Sequence, residues 1–354
     1  MSTQQPVQGA TPPPPGRVPN FEHPEDVLHT INFVSQVLAV ALITPIVGLR
    51  LWTRWRITPP FLIDDWFCLI AYILSILYSC TAFAMNKFGG GYHSWEISAG
   101  NFENYLKALY ADTLVYGPNA WFVKVTLLLV VIRVFSINRT FVIFWYAFIA
   151  AMTGYYVPVL FIKMNICQPI NGYWDPSVPA RCLDQRAVFV ADTVVSAVTD
   201  LAVLLAPVPV IRAIKMSFAQ MVRVYLLLGA GGVATVASFI RMYLVIQLQK
   251  SEDQTVDFVR FNLLGTAEVA IGLACACMPT INQLYQSRNK SDQRNRPRSR
   301  AIQNIKFLKK SDYKRHFAEI ILEERYTGPS SAASSACATI ISTHSLNSGF
   351  FAES

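Results

Sequence analysis

The chain has 354 residues, of which 53% are hydrophobic and 15% charged, with a formal net charge of +8. So little charge excludes an ordinary soluble domain of this length and implies that much of the surface faces lipid. The basic excess does not point to nucleic acid either, because eleven Lys or Arg residues lie between Arg288 and Arg315, outside the apolar region and without a DNA- or RNA-binding motif.

Residues 1–28 open the chain with a polar, proline-rich stretch, "MSTQQPVQGATPPPPGRVPN", that lacks the basic start and cleavage site of a removable signal peptide. It reads as a disordered leader. The first apolar run then serves as an uncleaved signal anchor. A membrane-crossing helix needs roughly 20 mainly apolar residues, and seven candidate spans follow in succession. They are His29 to Leu51, Leu62 to Met85, Leu109 to Arg133, Phe141 to Lys163, Ala187 to Ile211, Arg223 to Ile246 and Phe258 to Leu284. The expectation is an all-α, polytopic seven-helix bundle over residues 29–286, in the plasma membrane or an endomembrane such as the endoplasmic reticulum.

Between the first two spans, "PPFLIDDWF" places Asp64 and Asp65 in the first turn of span two, beside Trp66. Exposed N–H groups and the helix dipole favour negative charge there, Arg54 and Arg56 are close in sequence, and tryptophan suits a membrane interface. The pair reads as a cytosolic anchor, with an active-site dyad as the alternative. After span two, "GGGYHSW" offers a tight turn at Gly89 and Gly91 and a histidine, His93, whose default role is structural. No phosphate-loop lysine accompanies it.

Ionisable groups inside spans are costly and tend to face the bundle interior, which makes each a site hypothesis. Span three starts with Tyr110, Asp112 and Tyr116, followed by Asn119 one turn on and Lys124 deeper. On span five, Asp192, Ser196 and Asp200 recur at i, i+4 and i+8 and line one face. At a rise of about 1.5 Å per residue, Lys124 and Asp200 both lie roughly 20 Å from the outer ends of their spans. They are read as a buried ion pair. Asp192, with Arg241 on span six and Glu268 on span seven, lies roughly 10 to 15 Å deep. These form a polar cup open to the outside, with Asp112, Tyr116, Asn119 and Ser196 completing its ligand-binding wall. The plainer alternative is interfacial aromatics and solvated acids with no ligand.

Seven cysteines show no CxxC pair or zinc-type spacing, so no metal site is expected, and no cofactor is implied. Cys167 and Cys182 share the polar connection "CQPINGYWDPSVPARC" between spans four and five. On the oxidising side they would form a disulfide closing a lid, worth about 3 kcal/mol; unpaired thiols are the alternative. The remaining span cysteines read as small apolar packing.

Orientation comes from Lys and Arg near span ends. The odd-numbered connections carry Arg50, Arg54, Arg56, Arg133, Arg139, Arg212, Lys215 and Arg223, against Lys87, Lys107, Lys163, Arg181, Arg186 and Lys250 on the even-numbered ones. With the basic tail, this places the N-terminus outside and the C-terminus in the cytosol. The tail, residues 287–354, is basic and then rich in Ser and Ala. It suits the anionic inner leaflet, with docking of a cytosolic protein as the sharper possibility.

Several landmarks fall in a recognisable order: "DDW" at Asp64, "FGGGYH" at Phe88, "KVTLLLVVIRVFS" from Lys124, "CQPINGYW" with the later Cys182, "APVPVI" at Ala206, "SFIRM" around Arg241, and "AEVAIGLACACMP" from Ala267. This ordered set resembles the fungal rhodopsin-like domain membrane proteins, which include satratoxin-cluster and pathogenicity-receptor-like members. The resemblance implies seven spans and either a place beside secondary-metabolite genes or a surface-receptor role. It does not imply retinal, since the last span contains no lysine for a Schiff base.

Two functions compete. The first is a receptor-like or accessory protein that binds an apolar small-molecule metabolite in the outer cup, within a secondary-metabolite pathway. The second is an intramembrane cyclase or isomerase working by acid/base chemistry without a redox cofactor. There Asp192 and Glu268 would be the acids, Arg241 the group that tunes them, and Tyr116 and Trp121 the cation-stabilising rings. A transporter is disfavoured by the absence of internal repeats.

Overall fold

The computed structural model describes residues 9–57, 59–134, 139–208, 218–248 and 253–281. The tail 287–354, residues 282–286 at the close of the expected membrane domain, the connection 209–217 and residues 1–8 of the leader lie outside the described residues.

Seven long helices occur among the described residues: α1 (His29–Arg56), α2 (Ile63–Lys87), α3 (Ala99–Val134), α4 (Arg139–Met164), α5 (Gln185–Leu205), α6 (Phe218–Leu248) and α7 (Gln254–Ile281). Six of them are long and apolar enough to cross a membrane, and α6 contributes the shorter apolar stretch Gly231–Gln247. The fold is therefore that of a mostly helical, multi-pass membrane protein. Prolines 45, 118 and 158 lie inside α1, α3 and α4, where packed neighbours tolerate the lost hydrogen bond.

Helix ends differ from the expected spans for local reasons. The α3 helix begins at Ala99 rather than Leu109, because "AGNFENYLK" continues the helical pattern with polar residues above the apolar run. The α5 helix stops at Leu205, short of Ile211, since Pro207 has no N–H to return to the preceding turn, and Ala206 N donates instead to Val203 O at 3.3 Å. Its start is capped by Asp184, whose side chain accepts from the backbone N–H groups of Arg186 and Ala187 at 3.0 and 3.3 Å.

The α3 helix is the most enclosed candidate span and α4 the most exposed. One face of α3 joins α1, α2 and α7 through Val47, Ala71, Tyr78, Ala120, Val123 and Leu273. Another meets α4 through Leu128, Trp145, Met152 and Tyr156. Large apolar side chains such as Phe33, Leu38, Ile143, Phe144, Phe239 and Ile240 are exposed, while Gln36, Lys124, Asp192, Arg241 and Glu268 are buried. Polar groups inside and apolar groups outside is the pattern lipid imposes.

At one end of the bundle, Cys167 and Cys182 form the expected disulfide and face each other across a two-stranded sheet, β1 (Cys167–Gln168) and β2 (Arg181–Cys182). The loop between them packs Tyr173 and Trp174 against Tyr110 of α3, with ring centroids 5.4 and 6.2 Å apart. Burial pushes the Tyr173 phenol above its usual value, while its oxygen accepts from Gln185 Nε2 at 2.6 Å.

The described part of the leader is not loose, contrary to the sequence expectation. Ala10 N donates to Ile97 O at 3.0 Å, Thr11 and Ser94 hydroxyls lie 2.8 Å apart, and Glu25 N donates to Glu96 Oε2 at 2.8 Å. The "GGGYHSW" connection supplies these partners. Gly91 has φ +92°, and a Cβ there would meet His29 N at 2.4 Å, so the turn requires glycine both for its backbone and for its close approach. His93 bonds Asp253 at 2.5 Å and stacks on Trp95, which makes it a clasp between this connection and the start of α7.

Candidate functional site

The polar face of α5 turns inward as its spacing predicts, with Asp192, Thr193, Ser196 and Thr199 all buried. Lys124, one helical stripe away on α3, reaches Asp200 Oδ1 at 2.9 Å. The same ammonium donates to Ser196 O at 3.0 Å, Ser196 Oγ at 2.9 Å and Thr199 Oγ1 at 3.0 Å, and lies 3.4 Å from the Tyr156 hydroxyl of α4. Ser238 of α6 donates to the other oxygen of Asp200 at 2.6 Å. The expected Lys124 and Asp200 pair is thus present, fully furnished with neutral donors and acceptors.

The pair is not separate from the expected cup. Glu268 of α7 lies between the two, with Oε1 3.6 Å from Lys124 Nζ and Oε2 3.2 Å from Arg241 Nη2. Tyr116 donates to Glu268 Oε2 at 2.9 Å, and the Arg241 guanidinium sits over the Tyr116 ring at 4.5 Å. Ser196 links both halves, donating to Glu268 Oε1 at 3.3 Å and accepting from Arg241 Nη2 at 3.2 Å. Two cations and two carboxylates from α3, α5, α6 and α7 therefore form one neutral buried layer. Buried charges are tolerated when paired and hydrogen-bonded in this way.

A cavity lies on each side of this layer. Towards the disulfide end, a space of about 490 Å³, its open mouth included, is lined by Asp112, Tyr116, Asp192, Arg241, Phe258 and Asn262 among others. Towards the other end, a mainly apolar space of about 690 Å³, its open mouth included, runs below Lys124, Asp200 and Glu268 past Leu127, Val203 and Gly272. Asp112, Tyr116, Asp192 and Arg241 thus share one cavity, as the sequence suggests, while Glu268 lines the other cavity and Ser196 sits in the layer and lines neither.

Asn119 departs from expectation: it is fully buried, accepts from Ser75 of α2 at 3.1 Å and lines neither cavity. Three residues past Tyr116 amount to about 300° of rotation, roughly 60° short of a full turn, and that offset sets Asn119 against Ser75 of α2. Asp192 also has a different partner from the one its depth suggested. Lys163 of α4 is buried and reaches Asp192 Oδ2 at 2.8 Å. Read from sequence as a loop charge reporting orientation, Lys163 is instead an interior ion-pair partner.

Sequence reading missed an amide network at the same end. Gln36 Nε2 donates to Asn262 Oδ1 at 2.7 Å and Thr266 Oγ1 at 2.8 Å, and Gln36 Oε1 accepts from Ser79 at 3.2 Å. Asn32 Nδ2 donates to Asn86 Oδ1 at 2.8 Å. Asn262 Nδ2 then donates to both oxygens of Asp112 at 3.0 and 3.1 Å, and Thr81 donates to Asp112 Oδ1 at 2.8 Å. The available signal was Asn32 and Gln36 at i, i+4 inside an otherwise apolar span.

At the far end, the adjacent acids form an enclosed ionic cluster. Asp64 and Asp65 are buried, and Arg50 reaches them at 2.7 and 3.0 Å. Arg133 of α3 comes within 3.2 Å of Asp64, and Arg54 within 3.5 Å of Asp65 without its Nε making a hydrogen bond. Arg50 Nη1 also donates to Ala276 O of α7 at 2.5 Å. The acids therefore hold α1, α2, α3 and α7 together and line neither cavity. Of the neighbours nominated by sequence, Arg56 is exposed, and Trp66 is exposed as an interface residue should be.

The comparisons agree with this architecture. The chain is 26% identical over 266 residues to the wortmanamides biosynthesis cluster protein C of Talaromyces wortmannii, covering 74% of this chain and 72% of that protein. It is 25% identical over 283 residues to the receptor GIN3 of Arthrobotrys oligospora, covering 76% and 65% respectively. It is 25% identical over 286 residues to the fugralins biosynthesis cluster protein 2 of Gibberella zeae, covering 77% and 70%. A family model for the fungal rhodopsin domain matches residues 49–287, which encompass both cavities and the ionic layer between them. The chain belongs to the fungal rhodopsin domain family.

Proposed function

We propose that the protein is a seven-span, receptor-like or accessory membrane protein that binds an apolar small-molecule metabolite within a secondary-metabolite pathway. Its N-terminus lies outside and its basic tail in the cytosol, at the plasma membrane or an endomembrane, where the tail meets anionic lipid or a cytosolic protein. The disulfide end is then the outer end, consistent with an oxidising compartment for Cys167 and Cys182.

The observation that carries this reading is the cavity in which Asp112, Tyr116, Asp192 and Arg241 converge among apolar and aromatic side chains. That mixture is what a small-molecule site requires. Names of relatives linking them to biosynthesis clusters and to a receptor support the pathway and receptor settings. An enzymatic role ranks below binding, because Asp192 Oδ2 is held by Lys163 and both Glu268 oxygens are engaged by protein groups.

The test is deletion of the gene with metabolite profiling, followed by exposure of the purified protein in lipid nanodiscs to the compound that accumulates. Saturable binding without turnover, lost in the cavity-filling variant Val245→Trp, is the expected result. Turnover without added cofactor, abolished in Asp192→Asn or Glu268→Gln, would replace the binding role by the intramembrane enzyme. Binding unaffected by Val245→Trp would remove the site from this cavity.

A further inference from the structure

The interior of the bundle is one cation short near the disulfide end. Arg241 and Lys124 are matched by Glu268 and Asp200, and Lys163 by Asp192. At the far end, Arg50, Arg54 and Arg133 serve Asp64 and Asp65. Asp112 is buried to 6% exposure, yet among the described residues no Lys or Arg nitrogen lies within the 4.0 Å of an ion pair. Its partners are neutral, the Thr81 hydroxyl and the Asn262 amide. Oδ2 holds only a share of the Asn262 donor, at 3.1 Å, and so keeps lone-pair capacity.

Asp112 also lines the cavity, and what faces it there is aromatic. Phe258 and Asn262 stand at i and i+4 on α7, so the ring adjoins the amide that holds Asp112. Phe258 packs on Phe189 of α5 at 5.3 Å and on Phe261 at 5.9 Å, and all three rings line the cavity. A buried carboxylate without a counter-ion, next to aromatic faces, is a recurrent way to hold an ammonium group.

We propose that the cavity binds a small molecule carrying an ammonium group on an otherwise apolar body, with Asp112 as its counter-ion and the Phe189, Phe258 and Phe261 rings against its alkyl and aryl surface. This rests on the reading of the cavity as the binding site and adds the chemical class of its ligand. The two cations sharing the cavity do not oppose it, since Arg241 is neutralised by Glu268 and Lys163 by Asp192.

The experiment compares benzyltrimethylammonium with its uncharged isostere neopentylbenzene, by equilibrium dialysis against the full chain in nanodiscs. The cation is expected to bind at least about tenfold more tightly, from charge pairing and ring contact together. Asp112→Asn is expected to erase that preference, and Phe258→Leu to weaken the cation severalfold while sparing the isostere. Equal binding of the two probes to the wild type overturns the proposal whether or not Asp112→Asn folds, as does a preference that survives in Asp112→Asn. Isostere binding that Val245→Trp blocks, with no preference for the cation, would leave the cavity as a site and remove only the ammonium. Failure of both probes to bind overturns the ammonium proposal and counts against the cavity itself.

Discussion

Lys163 and Asp192 meet at 2.8 Å inside the protein, tying the last turn of α4 to the first half of α5. Both side chains are under one-tenth exposed, so removing either one strands the other in a low-dielectric interior. Lys163→Met is expected to destabilise the protein by about 3 to 5 kcal/mol, whereas the double variant Lys163→Met with Asp192→Leu recovers most of that loss. Unfolding in detergent followed by circular dichroism measures both. Additive losses in the double variant would show that the pair is not coupled.

Arg50 is fully buried and makes contacts to α2 and α7 at once, through Asp64, Asp65 and the Ala276 carbonyl. Replacement by lysine keeps the charge but loses the planar fork that satisfies three acceptors. Arg50→Lys is therefore expected to cost nearly as much as Arg50→Ala, about 3 kcal/mol or more. A lysine variant as stable as the wild type would reduce the cluster to simple charge pairing.

Much of this was legible in the sequence because lipid imposes simple rules. Lengths of apolar runs located the helices, and the spacing of Asp192, Ser196 and Asp200 oriented α5. The Lys124 and Asp200 pair followed from matched depth, since an isolated charge at that level has few affordable alternatives. Rotation about a helix axis was less legible: Asn119 is one turn from Tyr116 in sequence yet faces α2, and no depth estimate distinguishes the two. Lys163 misled for a related reason, because a lysine at a span end serves equally well as an interfacial charge or an interior partner. Arg50 and Arg133 were counted as orientation charges for the same cause. The Gln36 network depends on three helices meeting, which pattern in one segment does not reveal.

Gly91 carries a prediction for the leader. Its φ of +92° and the 2.4 Å approach that a Cβ would make to His29 N leave no room for alanine. Gly91→Ala is expected to cost about 1 to 3 kcal/mol of local strain. The effect should appear as faster proteolysis between residues 9 and 28, with the bundle's own unfolding changed less. Unchanged cleavage would mean that the leader holds without this turn.

The disulfide closes a sequence separation of 15 residues, Cys167 to Cys182. In the chain-entropy picture such a loop contributes about 3 kcal/mol, mainly by restricting the unfolded state. The paired variant Cys167→Ser with Cys182→Ser is expected to lower stability by that order, and dithiothreitol to reproduce the shift in the wild type. A reductant effect of equal size on the double-serine variant would assign the loss elsewhere.

The ionic layer lies between two cavities, and Glu268 is the group that joins its two cations. Its Oε1 faces Lys124 and its Oε2 faces Arg241 and Tyr116, so neutralising it leaves one excess cation shared by two sites. Glu268→Gln keeps the shape and can still accept from Tyr116, but it cannot compensate both Lys124 and Arg241. The expected loss is about 3 to 5 kcal/mol, as for any broken buried pair. Glu268→Gln with Arg241→Met restores charge balance around Lys124 and Asp200, and should regain part of the stability while opening the floor of the cavity nearer the disulfide. Ligand affinity then separates two roles for the layer. Affinity that follows stability across the two variants marks the layer as a support, whereas affinity lost in the double variant despite regained stability marks Arg241 as a contact of the ligand itself.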